Sequence, residues 1–482
     1  MMKYFSILLS AILLSFSFAA CEDKEGFSAD PSLRLEFSKD TIMFDTLFTD
    51  VNSPSAEMVV HNRHGDGIRI SSVQLASGGA SGFSVIVDGQ YGDYMRDLEV
   101  RAKDSIFVLV SAHIDKNEKN VPALVTDSLL FNLESGVQQK VLLMAYGRDV
   151  IIMKGVCMSQ DTIMAPGHYV VSDSLVVAEN VTLGLSPGTT LYFHDKAQMK
   201  VYGTLNAVGT LRAPVVMRGY RTDKMFPYLP YDRVPGQWGG VTFASTSNSN
   251  RLVYCDIHSA NYGVKVEAGD TEVQRISIES SKIHNFHGNA LELVNSQATV
   301  TNSLLANAKG NCVKLVGGDV SFIHCTIANF YVWKQRDVAL ALHNTLDGEP
   351  APLHNALFAN CVIAGSKKDE VMGYLKEYGD TLPDARNYRF ENSLINTVAD
   401  GDTCFVNNVF DESGKKPFGA AHFRKIDHDN FIYDFHLSSS STAKGIASEV
   451  YAEMFKFDID GIERPDSVAD AGCYQFVEET VE

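Results

Sequence analysis

A short triplet that returns six times limits the fold of this 482-residue chain more than any other feature. Cys255–Asp256–Ile257, Ser281–Lys282–Ile283, Ser303–Leu304–Leu305, Cys325–Thr326–Ile327, Cys361–Val362–Ile363 and Ser393–Leu394–Ile395 each carry a small residue, an outward residue and an aliphatic. The intervals run from 22 to 36 residues, the size of one repeat of a solenoid and far short of a domain. Stacked repeats put equivalent side chains above one another, so inward positions build ladders through one continuous core. Cys255, Cys325 and Cys361 share their column with serines, and so read as small buried spacers rather than nucleophiles or disulfide partners. Two residues beyond the aliphatic come Asn285, Asn307 and Asn329, which suit a sharp turn where asparagines bond backbone groups and one another.

A second strand accompanies the first in the same repeats: Val264–Val266, Leu291–Leu293, Val313–Leu315 and Leu340–Leu342. By the period of two, Lys265, Glu292, Lys314 and Ala341 point outward, the charged three alternating in sign along one face. Upstream lie very short strands at Val181–Leu183, Thr189–Phe193, Met199–Leu205 and Val215–Met217, then Trp238–Gly239–Gly240. The tail carries Asp434–Phe435, Leu437, then Asp458 to Pro465, then Asp470, Gly472 and Tyr474. The Trp-Gly-Gly segment, the asparagine column and this tail resemble the right-handed parallel β-helix repeat family, with its pectate-lyase-like fold. The resemblance covers residues 160–476 and implies a β-helix closed by its tail. The family includes lyases, hydrolases and proteins without a reaction, so the resemblance implies a fold far more than a function.

Residues 32–150 read differently. Leu33–Phe37, Met58–Val60, Ile68–Ile70, Phe83–Val87, Ser105–Val110, Ser128–Phe131 and Val141–Met144 are short runs, several alternating apolar with polar. Their spacing suits a seven-strand Ig-like β-sandwich. Asp45 to Asp50, His61–Asn62 and Ile68 to Val73 resemble the Ig-like modules at the start of surface lipoproteins. The expected fold is all-β: an N-terminal Ig-like β-sandwich followed by a right-handed parallel β-helix.

The first residues supply an address. Lys3, an apolar run from Tyr4 to Leu14 and Phe18–Ala19–Ala20–Cys21 form a secretory signal over residues 1–20, too short an apolar run for a spanning helix. Its junction resembles a bacterial lipobox. The resemblance implies lipidation at Cys21, a tether over residues 21–31 and a lipid bilayer as partner through an acyl anchor. Glu22, Asp23 and Glu25 resemble the tags that send lipoproteins to the outer membrane and the cell surface. The net charge of -18 carries no basic stripe, which argues against nucleic acid as a partner. There is no CxxC pair, so neither a zinc site nor a redox motif is supported, and calcium has no motif of its own. No cofactor and no metal site is assigned.

Enzymes of the β-helix family act on polysaccharides. A lyase needs a base and a cation for the substrate carboxylate, and a hydrolase needs paired carboxylates. The outward column Asp256, Lys282, Leu304, Thr326, Val362, Leu394 and the next, His258, His284, Ala306, Ala328, Ala364, Asn396, contain no stack of carboxylates. Asp256, His258, Lys282 and His284 share two neighbouring rungs and are the candidate catalytic group, with Lys282 as base and a histidine as proton partner; otherwise they are a polar surface patch. The insertion from Arg218 to Gly236 brings Tyr228, Tyr231, Asp232 and Arg233, followed by Trp238, a candidate glycan surface of stacking rings and hydroxyl-binding groups. A second long segment, between Leu342 and Tyr388, holds Lys367, Lys368, Asp369 and Glu370 and suits a partner loop or a shield. Expected first is a cell-envelope lipoprotein that binds a surface polysaccharide or acts as a scaffold without catalysis. The alternatives are a polysaccharide lyase or hydrolase, and an adhesin or envelope-assembly subunit, marked by an exposed apolar stripe of Leu304, Val362 and Leu394; if that outward register holds, the Ig-like domain, a loop or a partner covers them.

Overall fold

The computed structural model describes residues 26–117, 122–378, 386–398, 401–411 and 419–478. The signal segment and Cys21 lie outside them. The chain divides into two compact units between Asp149 and Val150. Among the described residues no helix is long and apolar enough to cross a membrane.

The first unit is two five-stranded sheets over one shared core. Alternation makes that core: in Phe83–Val87, Phe83, Val85 and Val87 point in, and in Ser105–Ala112, Ile106, Val108 and Val110 do the same. All seven expected runs overlap strands, and Thr41–Phe48, Gln90–Tyr91 and Tyr94–Val100 add three more. Thr41–Phe48 pairs in parallel with Gln138–Arg148. The expected tether is partly docked: Ser28 N–H donates to the Gly67 carbonyl, Gly67 N–H donates to the Gly26 carbonyl, and Arg69 lies 4.5 Å over the Phe27 ring.

The second unit holds a parallel sheet of 26 strands among the described residues, in which strands pair with neighbours two or three further along the chain. That pairing rule is the register of a β-helix-like coil. The sheet starts at Ile151–Met158, paired with Gly167–Val177, ahead of the expected residue 160. The triplet column stacks as read: Asp256 pairs with Lys282, Lys282 with Leu304, Leu304 with Thr326, Thr326 with Val362 and Val362 with Leu394. Its small residues link rungs. The Ser281 hydroxyl accepts from Cys255 N–H (2.9 Å), Ser303 from Ser281 N–H (3.0 Å) and Ser393 from Cys361 N–H (2.9 Å). The cysteines of the column are free and buried, and burial pushes the Cys255 thiol up to about 12.

Two further ladders flank that column. The residue before each triplet (Tyr254, Ser280, Asn302, His324, Asn360 and Asn392) is left-handed, with φ between 46° and 52°. Asparagine tolerates that corner better than other side chains with a Cβ. Three residues before the small residue stand Leu252, Ile278, Val300, Phe322, Phe358 and Phe390, in register and inward. The phenylalanines stack with centroids 5.0 and 4.8 Å apart and continue 5.0 Å on to Phe405.

The outward column is not an exposed apolar stripe: its cover is the chain's own C-terminal segment. Leu304, Val362 and Leu394 are buried, and so are Ala306, Ala328 and Ala364. A C-terminal segment packs on them through Phe423, Phe435, Leu437, Ile459, Cys473 and Tyr474, in a cluster separate from the core inside the coil. The tail therefore covers a side of the coil. Corner asparagines clip it in place: the Asn302, Asn360 and Asn392 amides donate to the carbonyls of Phe457, Ser448 and Ile446. Glu370, assigned above to a partner loop, is fully buried in an ion pair with Arg336.

Candidate functional site

Between the coil and the C-terminal segment lies a cleft of about 320 Å³. The coil side offers Lys282, His284, Asn285, Leu304 and Asn307; the segment offers Tyr433, Asp434, Phe435 and His436; Arg233 of the 218–236 insertion and Phe431 complete the lining with Tyr474. Strand register brings the coil residues here. Asp256 and His258 are two apart on Cys255–His258 and so share a face, and each pairs with its equivalent, Lys282 or His284, one rung on.

The insertion reaches the same place. Lys224–Phe226 and Leu229–Pro230 form a small hairpin anchored by buried Leu229, followed by the turn Tyr231–Arg233. The turn aims Asp232 at His258. Gly236 ends the insertion at φ 85°, where a Cβ would meet the His287 ring at 2.2 Å, so only glycine allows the chain to pass.

Two chains of charge result. In the first, Arg218 pairs with Asp232 (2.9 Å), Asp232 Oδ1 meets His258 Nε2 (2.8 Å), and His258 Nδ1 meets Asp256 Oδ1 (2.8 Å), which also takes His284 Nε2 (3.1 Å). The two imidazoles stack with centroids 4.9 Å apart. Burial opposes charge on His258, yet Asp256 and Asp232 raise it to about 9; His258 and Arg218, working against burial, lower Asp232 to about 2. Against burial as well, the two imidazoles hold the Asp256 carboxyl well below the ordinary carboxylate range. In the second chain, His436 bonds Asp434 through Nδ1 and Asp460 through Nε2 (2.8 Å), and Asp460 pairs with Lys282 (3.6 Å). Burial again opposes charge on His436, and Asp434 and Asp460 raise it to about 9.

The structure thus brings Asp256, His258, Lys282, His284, Asp232 and Arg233 together. It corrects Trp238, expected as an exposed stacking ring. That ring is fully buried, stacked on Phe193 at 4.2 Å, with its N–H donating to the His258 carbonyl (2.9 Å). Tyr231 is half-buried with Arg221 3.7 Å over its ring, whereas Tyr228 is half-exposed and stacks with Phe226 at 5.8 Å. Sequence reasoning missed Phe226, Trp333 (which stacks on Phe431 at 4.6 Å), and the tail's Asp434, His436 and Asp460. The tail had been read as a closing cap, and no spacing shows which coil face a cap covers.

No protein-family model matches the chain, and no curated protein is similar to it. Among solved structures it has a likeness to a family 123 glycoside hydrolase from Clostridium perfringens, described for its glycolipid glycan hydrolysis. The identity is 7% and the TM-score 0.18, over 25% of this chain and 30% of that one, so the likeness carries no argument.

Proposed function

We propose that this chain is a cell-envelope lipoprotein, anchored through Cys21, whose right-handed β-helix binds an acidic glycan in the cleft without cleaving it. The N-terminal sheets serve as an Ig-like spacer between anchor and coil. The observation that carries this reading is the cationic lining of the cleft in an acidic chain. Among the described residues Arg233, Lys282 and the His436 imidazolium line it with the carboxylate of Asp434, and Asp460 pairs with Lys282 and His436, which leaves Arg233 as the cation in excess, in a chain of 41 basic and 59 acidic residues. Tyr433, Phe431 and Tyr474 supply ring faces, and the exposed Phe226–Tyr228 pair extends a stacking surface from the hairpin.

A lyase is the second reading, supported by one feature: Lys282 and His284 face His436 across the cleft, which places a base and an acid on opposite walls. The test is titration of the full chain with polyuronates, sulfated glycans and neutral glycans, with absorbance monitored for unsaturated products. Binding of acidic glycans that weakens about tenfold or more in Lys282→Ala, without product, supports the binding reading. Product formation lost in Lys282→Ala replaces it with the lyase. Equal binding of neutral and acidic glycans, or none, overturns both.

A further inference from the structure

We propose that Asp256, His258 and His284 bind a divalent transition-metal ion, with Asp232 and Arg218 as the supporting shell. Two imidazoles and a carboxylate form a nitrogen-rich donor set of the kind that zinc and cobalt take and calcium does not. Asp256 Oδ1 lies 2.8 Å from His258 Nδ1 and 3.1 Å from His284 Nε2, and the three ligand atoms all fall within 4.8 Å of one another. Ligands about 2.0–2.2 Å from one ion sit about 3 Å or slightly more apart, so the cluster closes on an ion with small side-chain rotations. Parallel register fixes the placement, because His258 and His284 occupy equivalent positions of adjacent rungs.

The support is what separates this group from an ordinary polar patch. His258 Nε2 is held by Asp232 at 2.8 Å; Arg218 holds Asp232 at 2.9 Å, and the Ser259 hydroxyl donates to the Asp232 carbonyl at 2.6 Å. A carboxylate on the far nitrogen of a histidine sets its tautomer and ring angle toward a metal. With the proton on Nε2, the Nδ1 lone pair faces Asp256, and the ion takes the place of the proton otherwise shared there. Lys282, in register beside Asp256, is drawn to Asp460 instead and does not fill the position. His284 also lines the cleft, so an oxygen ligand in the cleft, a carboxylate or a hydroxyl, approaches the ion from that side. A second group, Asp50, His113 and Asp115, lacks such a shell: all three are exposed, Asp50 pairs with Lys116 and His113 Nδ1 meets Asn52. The site stands whether or not the cleft binds a glycan.

The experiment is metal uptake by the full chain, first stripped with a chelator, then dialysed against Zn²⁺, Co²⁺ or Ca²⁺ alone and analysed for metal content and for Co²⁺ visible absorption. Expected is one equivalent of Zn²⁺ or Co²⁺ and no Ca²⁺, with uptake lost in His284→Gln and Asp256→Asn and kept in Asp115→Asn. His284→Gln removes a contact to Asp256 and a ring stacked on His258, so the metal-free variant should unfold a little earlier yet remain folded, with a cooperative transition and wild-type circular dichroism at the temperature of the uptake experiment, which separates lost ligation from lost folding. No stoichiometric uptake by the wild type, uptake retained in His284→Gln, or loss in Asp115→Asn instead overturns the proposal.

Discussion

Lys282, on the coil wall of the cleft, pairs with Asp460 of the C-terminal segment, Nζ to Oδ1 at 3.6 Å. Asp460 also takes His436 Nε2, so the contact joins the coil wall to a charge chain on the segment that covers it. Both groups are about one-third exposed, which limits the pair itself to a small contribution. Its consequence is positional: it ties the coil wall to the segment that covers it.

The His436 contacts predict a pH dependence at alkaline pH. Its ordinary value of 6.5 is raised to about 9 in the folded chain, through Asp434 and Asp460 acting against burial. A raised value stabilises fully below 6.5, and that stability is lost as pH rises through about 9. The other groups facing the ring do not cancel this. Tyr474, 4.1 Å away, is pushed well above its ordinary value by burial, and Asp434 and Asp460 are lowered, so their contribution disappears only in acid. Thermal unfolding of the second unit should therefore drop by about 1–3 °C between pH 6.5 and pH 10. In His436→Gln that step should shrink and not vanish, because His258 is raised to about 9 as well and titrates in the same window.

Trp238 and Tyr228 should separate stability from binding. Trp238→Ala removes a fully buried ring stacked on Phe193 and leaves a cavity, which costs about 3–5 kcal/mol. Tyr228→Ala removes a half-exposed ring and should change stability by less than about 0.5 kcal/mol while weakening glycan binding. Denaturant unfolding and glycan titration of both variants check this. An unstable Tyr228→Ala or a stable Trp238→Ala contradicts the placement.

The triplets were legible because a coil repeats the same chemistry at the same corner, and their register is the one observed from Asp256 to Leu394. The phenylalanine ladder was equally present, always three residues before the small residue, but it begins as Leu252, Ile278 and Val300 and is uniform only from Phe322 on. The site was half legible. A period of two says that His258 leaves the coil wall; it does not say that Asp232, 26 residues earlier, folds over it. For the same reason the outward direction of Leu304 and Val362 was legible, but whether the Ig-like domain, a loop or a partner covers them was not; the C-terminal segment does. Periodicity reports direction from a strand, and coverage depends on long-range docking.

Arg336 and Glu370 form a buried pair, with the side chains 4% and 0% exposed and Arg336 Nη1 3.0 Å from Glu370 Oε2. The carboxylate also accepts from the backbone N–H groups of Ala339 and Lys367, which ties two loops together. Glu370→Ala leaves a buried guanidinium without its counter-ion and should cost about 3–5 kcal/mol. Arg336→Met with Glu370→Leu removes both charges and should recover part of that loss. Urea midpoints of the single and double variants measure the difference; a single variant as stable as the wild type would show the pair to be dispensable.

The C-terminal segment should act as a cover that the coil can lose without unwinding. Leu304 faces the segment, while its neighbour Leu305 belongs to the core inside the coil, and the two clusters are distinct. Ending the chain at Asp411 uncovers Leu304, Val362, Leu394 and the alanines beside them. Burial of each large aliphatic contributes roughly 1.5–3 kcal/mol, so the segment is held mainly by this face and only secondarily by its hydrogen bonds to Asn302, Asn360 and Asn392. The truncated chain should keep its β-sheet circular dichroism, bind a hydrophobic dye and self-associate through the uncovered stripe. Phe435→Glu, which places a charge against the same face, should produce the dye binding in a weaker form in the full-length chain. Sheet signal lost together with the segment would mean that the coil needs its cover to fold, and that the outward column is part of the core in all but position.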